Sequence, residues 1–212
     1  MPSRSEFLSY LAQHIRSRLT GGVLRVAITG PDGAGKTTLA DELETTITSE
    51  NVPVIRIGID GFHNPMAVRY ARGRHSPEGY FLDSFNLTEF KRSVLDPLSP
   101  GGSGNYRVSV FDHRTDKVVD SPWRQAPAPS VLIVDGIFLQ KPELAHYWDL
   151  VIFLDTPFAQ TFQRMARRDG SPADEFAMEN RRYRDGQLLY FEQCRPQDHA
   201  DVVVDYSDVS NP

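Results

Sequence analysis

Apolar residues recur along this chain with two periods. Over residues 5–19, Phe7, Leu8, Leu11, Ile15 and Leu19 share one face of a 3.6-residue repeat. That spacing predicts an N-terminal helix within residues 1–22, stopped by Gly21-Gly22. Short β-rich runs then alternate with helical faces. "VLRVAIT" at 23–29 predicts a strand, and Leu39, Leu43 and Ile47 predict the helix that follows it. "VPVIRIGI" at 52–59, "VLIVD" at 131–135, "LVIFLD" at 150–155 and "DVVVD" at 201–205 predict four more strands. The runs at 131–135 and 150–155 are almost unbroken, as strands covered on both faces are. Thr156-Pro157 reads as an N-cap and first helical residue for a helix to about Arg168, and a further helix is expected over about 174–192.

Strands alternating with helices predict an α/β fold with a mostly parallel sheet and helices on both faces. Residues 62–130 break the rhythm. They are rich in Gly, Pro, Tyr, Arg and Asp, and "SPGGSG" and "SPWRQAPAPS" are loops. "YRVSVFD" between them is read as an added strand of a β-hairpin. The whole chain, 1–212, is read as one domain, with 62–130 an insertion that builds an acceptor pocket.

Composition narrows the class. The chain has 212 residues, 40% hydrophobic and 24% charged, as a globular domain does. A net charge of −5 argues against a nucleic-acid partner. Cys194 is the single cysteine, which excludes an intrachain disulfide and a multi-cysteine zinc site. No secretory h-region and no membrane-length apolar run occurs, so a cytoplasmic protein is expected. The oligomeric state stays open, a homo-oligomer included.

The chemistry concentrates after the strands. "GPDGAGKT" at 30–37 matches G-x-x-x-x-G-K-[ST], with a β-run before it and a helix after it. Such a loop turns its backbone amides and a helix N-terminus towards phosphate oxygens. Gly30, Asp32, Gly33, Ala34, Gly35, Lys36, Thr37 and Thr38 are therefore candidate ATP contacts, with Lys36 directed at the β- and γ-phosphates and Thr37 at Mg²⁺. The alternative is a glycine-rich turn with a chance lysine. Asp60 ends the second run, where an open parallel sheet places ligand-binding residues. It is either a base for an attacking hydroxyl or a turn-forming acid. Asp135 ends "VLIV" and is a candidate metal acid or a strand-end turn residue, whereas Asp155 reads as a structural acid. Arg164, Arg167 and Arg168 mark a lid at 164–182 or complement a helix C-terminus. His63 has a substrate-binding and a structural reading. Arg69, Arg72 and Arg74 read first as solvated surface, with contact to an anionic substrate as the alternative. No N-K-x-D guanine signature is present.

Together "GPDGAGKTT", "IDGFH", "SPEGYFLDSFN", "YRVSVFDH", "VLIVDGIFL", "DLVIFLDTP" and "RMARRD" resemble the uridine kinase and phosphoribulokinase group of P-loop kinases, which includes bacterial pantothenate kinases. The pieces keep the family order and cover most of residues 23–205. The resemblance implies a P-loop NTPase fold and MgATP-dependent phosphorylation of a small-molecule alcohol. It implies Asp60 as base, Asp135 assisting Mg²⁺, Asp83 at a nucleoside ribose, and Arg164 and Arg168 as lid arginines. His63 and Tyr80 are weaker acceptor-site candidates. One departure stands out: "FDHRTD" puts Phe111 and Asp116 where uridine kinases carry the base-reading Tyr and His. The expected activity is thus a small-molecule kinase, most simply of a nucleoside, with a pantothenate- or sugar-like acceptor or a regulatory ATPase as alternatives.

Overall fold

The structure, a computed structural model, describes residues 3–208. Five strands form one parallel sheet: β1 (Val23–Thr29), β2 (Val54–Gly58), β3 (Ser130–Asp135), β4 (Leu150–Asp155) and β5 (Val202–Asp205), in the order β2-β3-β1-β4-β5. The register pairs Ile28 and Gly58 with Asp135, so the ends of the central strands reach one edge together.

Alternation within each strand explains the unbroken apolar runs. Leu24, Val26, Ile28, Val131 and Ile133 pack on one face, against α1 (Arg4–Ser17) and α2 (Lys36–Thr48). Ala27, Leu132, Val134, Ile55 and Ile57 pack on the other, against Phe62, Phe81, Phe90, Phe138 and Tyr190. Both faces are covered, so both parities must be apolar. Leu39, Leu43 and Ile47 of α2 are fully buried, each contributing about 1.5–3 kcal/mol of transfer free energy.

Several boundaries depart from expectation. α1 stops at Ser17, before Gly21-Gly22, because Arg18 caps it through its own backbone N–H. At its start, Ser3 and Glu6 form a reciprocal capping box. Thr156 is not an N-cap: it is buried, and Pro157 occupies that position before α4 (Phe158–Asp169). The last helix, α5, begins at Met178 and ends at Cys194. The insertion is also more ordered than a loop and hairpin. It contains a helix, α3 (Pro77–Asp83), capped by the Ser76 hydroxyl accepting from the Gly79 amide. The expected hairpin is split into two antiparallel ribbons, 105–106 with 124–125 and 111–112 with 117–118. No helix among the described residues is long and apolar enough to cross a membrane.

Candidate functional site

β1 ends at Thr29, and the chain turns through the glycine-rich loop onto α2. Gly33 has φ +72°, and a Cβ there would lie 2.6 Å from the Thr161 carbonyl oxygen. Only glycine fits that close approach. Gly35 caps α2 with φ +102° and offers no side-chain acceptor, and the first turn of α2 holds no acid. The N-terminal amides are left for an outside anion. Lys36 is 9% exposed, and its Nζ donates to the carbonyls of Gly30 (3.1 Å) and Pro31 (2.6 Å). Burial pushes its pKa down, while Asp32 and Asp135 pull it back up.

Thr37 Oγ1 donates to Asp135 Oδ2 at 2.5 Å, and Arg56 Nη1 donates to Asp135 Oδ1 at 2.7 Å. Arg56 Nε reaches Asp41 Oδ1 at 3.2 Å. Arg56 was not singled out from the sequence; a lone charged residue between Ile55 and Ile57 in a β-rich run was the available signal. No group of three or more His, Cys, Asp or Glu that could hold a metal occurs among the described residues. A Mg²⁺ at Thr37 and Asp135 would take its other ligands from phosphate oxygens and water, as Mg²⁺ readily does. The donor set fits MgATP.

Asp60 opens the short helical turn Ile59–Phe62 directly after β2, with its carboxylate exposed to solvent. Gly61 follows for a packing reason rather than a turning one: a Cβ there would lie 2.7 Å from that of Ser109. Two clefts meet at Asp60. The first, about 470 Å³, is lined by the glycine-rich loop, Lys36, Thr37, Thr38, Arg56 and Asp135. The second, about 380 Å³, is lined by His63, Arg69, Tyr80, His113, Arg182 and Tyr183 among others. Asp32, Asp60, Ile137 and Arg168 line both. A larger cavity, about 680 Å³, lies at the opposite edge of the sheet, where Arg25 is committed to Asp149 and Ser99.

In the second cleft, His63 Nδ1 lies 2.9 Å from the Asp60 carbonyl oxygen. A carbonyl can only accept, so Nδ1 carries the proton and Nε2 is the acceptor. Burial lowers the His63 pKa, and the ring packs against Phe85 (4.5 Å) and His113 (4.6 Å). Tyr80 donates its hydroxyl to the Asp32 carboxylate. Arg69 lines this cleft rather than facing bulk solvent; its Nη2 donates to Asp116 at 3.1 Å, while its buried Nε has no partner. Arg72 and Arg74 remain exposed, as read.

Two expected site residues are placed differently. Asp83 does not line the cleft: its carboxylate accepts from Arg72 Nε at 2.8 Å, and its backbone oxygen accepts from Asn64. Arg164 is not a free lid cation. It donates to the carbonyls of Ala34, Tyr206 and Ser207, tying α4 to the back of the glycine-rich loop. Arg168 does face both clefts, held in a two-point pair with Asp169. His113 in the cleft and Gln187 against the Asp32 amide were missed because only the folded chain brings them there. Buried Arg182 donates to carbonyls of residues 69, 73, 74 and 76, shaping the wall.

A family model described as "Phosphoribulokinase / Uridine kinase family" matches residues 25–173. The chain belongs to this family. Among its curated relatives, the pantothenate kinase of Bradyrhizobium sp. (strain ORS 278) is 25% identical over 143 residues, covering 61% of this chain and 44% of that one. The uridine kinase of Leuconostoc citreum (strain KM20) is 26% identical over 152 residues, covering 69% of this chain and 68% of that one. The chain thus spans less than half the length of the pantothenate kinases it matches. A solved structure described as a possible uridine kinase from Bacillus stearothermophilus has a TM-score of 0.74 at 24% identity, covering 93% of this chain and 97% of that one. That likeness concerns the fold, which is the P-loop kinase fold.

Proposed function

We propose that this chain is an MgATP-dependent phosphotransferase that phosphorylates a hydroxyl of a small molecule. The observation that carries the reading is the junction of two clefts at Asp60 and Arg168. One cleft has the loop amides, Lys36 and Thr37 for a polyphosphate; the other is a separate acceptor space. When bound, MgATP supplies the phosphoryl group that is transferred. Asp60 accepts the proton of the acceptor hydroxyl as its oxygen bonds to the γ-phosphorus, and the bond to the β–γ bridging oxygen breaks to release ADP. Lys36 and Arg168 offset the charge that moves with the phosphoryl group. Thr37 and Asp135 would hold the metal end of the site.

A nucleoside is the first acceptor reading, supported by the aromatic wall of His63, Phe85 and His113, whose rings are tilted to one another, and by the uridine kinase relative. A non-nucleoside alcohol bearing an acid, pantothenate-like, is the second reading. It is favoured by the Arg69 side chain lining the cleft beside Asp116, and by Asp83 standing outside it. The test is ADP release with MgATP against uridine, cytidine, pantothenate and a set of sugars. Strong acceleration by one alcohol is expected. Slow ADP release that no alcohol accelerates would instead support a regulatory ATPase and refute the kinase reading.

A further inference from the structure

The phosphate loop and the acceptor wall are joined through one residue. Asp32, the third residue of the loop, lines both clefts. Its backbone amide donates to Gln187 Oε1 at 2.7 Å, and its carboxylate accepts from the Tyr80 hydroxyl. Both partners belong to the acceptor side. Tyr80 lies on α3, Gln187 on α5, and both are buried. These two helices form a tight pair: a Cβ on Gly186 would lie 2.9 Å from the Pro77 carbonyl oxygen and from the Tyr80 ring. Tyr80 also packs edge-on against Phe138 and Tyr183 and lies under the Arg182 guanidinium. Gln187 is held in turn by donating to the Tyr183 carbonyl at 3.0 Å.

From this geometry we infer that Asp32 is a positioning residue: through Tyr80 and Gln187 it clamps the phosphate loop to the α3–α5 acceptor wall, so that nucleotide and acceptor binding are coupled. The inference rests on the nucleotide-binding reading of the loop. Its physical basis is simple. A loop whose amides must converge on phosphate loses affinity when its third residue is free to reorient. The Tyr80 hydroxyl and the Gln187 amide are the side-chain contacts that fix that residue from outside the loop. Coupling of this kind is reciprocal, so an acceptor that orders Tyr80 tightens nucleotide binding by the same factor.

The test needs no acceptor. Binding of a fluorescent, non-hydrolysable ATP analogue with Mg²⁺ is titrated against the full chain and its variants, with thermal melting as a check on folding. Tyr80→Phe keeps the ring packing and removes only the hydroxyl, and about a tenfold rise in Kd is expected. Gln187→Leu, which removes the other contact, is expected to act in the same direction. Asp32→Asn keeps an oxygen acceptor for Tyr80 and should stay closer to wild type than Asp32→Ala. In the Asp32→Ala background, Tyr80→Phe should add almost nothing. Folded Tyr80→Phe and Gln187→Leu variants that both bind within twofold of wild type, or a Tyr80→Phe effect that adds fully to Asp32→Ala, would overturn the clamp. A wild-type chain that binds no nucleotide would overturn the underlying reading as well.

Discussion

Replacing Asp60 by Asn separates chemistry from folding in this site. The carboxylate is 70% exposed, and its contact with the neutral His63 ring is a long one, Nδ1 lying 3.9 Å away. The contact that holds His63 runs to the backbone oxygen of Asp60, which the substitution leaves in place. Stability should therefore change by no more than about 0.5 kcal/mol. The loop amides, Lys36 and Thr37 are untouched, so nucleotide Kd should stay within several-fold of wild type. An amide cannot take the acceptor's proton, and loss of a general base costs about 10²–10⁴ in rate. That corresponds to about 3–5 kcal/mol on the barrier. The assay is steady-state ADP release with the best acceptor of the panel, paired with nucleotide titration and chemical denaturation. Full turnover in Asp60→Asn would remove Asp60 as the base. A loss of nucleotide affinity as large as the loss of rate would place the residue in phosphate binding instead.

Three further outcomes follow from the geometry. Gly33 and Gly170 share a left-handed backbone, but a Cβ on Gly33 strikes the Thr161 carbonyl and one on Gly170 meets nothing within 4 Å. Gly33→Ala should therefore weaken nucleotide binding more than tenfold by titration, whereas Gly170→Ala should cost only about 1 kcal/mol of stability by denaturation. Asp135→Asn removes the buried charge partner of the largely buried Arg56 guanidinium and leaves it only the exposed Asp41, so a loss of about 1–3 kcal/mol is expected by urea titration, together with a higher Mg²⁺ requirement in the nucleotide titration. Burial holds the His63 pKa below its ordinary value of about 6.5, so the unfolded chain takes up that proton first. The contribution of neutral His63 is complete above that value and declines as pH falls below it; wild type should lose Tm relative to His63→Gln on acidification, and a constant difference would refute the assignment.

The sheet was legible because burial on both faces leaves long apolar runs that only one architecture explains. α3 was not, because its seven residues include Pro77 and Gly79, which read as loop until Ser76 is seen capping them. Arg164 and Arg168 looked equivalent because a four-residue spacing puts both on one helical face. The side chains part company only in three dimensions, where three backbone carbonyls capture Arg164. Asp83 matched a ribose-binding position by order along the chain, yet nothing in local sequence announces that Arg72 takes its carboxylate.

The two halves of the site differ in how far sequence can specify them. A phosphate loop works through the backbone of adjacent residues, so eight neighbouring positions carry most of the information, and a motif is enough. The acceptor cleft is lined by residues from several separate segments, 60–63, 69–70, 80–85, 113 and 165–183 among them. Such a set can change its acceptor without disturbing the sheet or the loop. Asp116 is the case in point. It stands where a uridine kinase carries a base-reading histidine, yet its carboxylate accepts from the Met66 amide and from Arg69, fixing an arginine against the cleft. Family membership therefore does not supply the acceptor, and replacing Arg69 tests directly whether this arginine meets it.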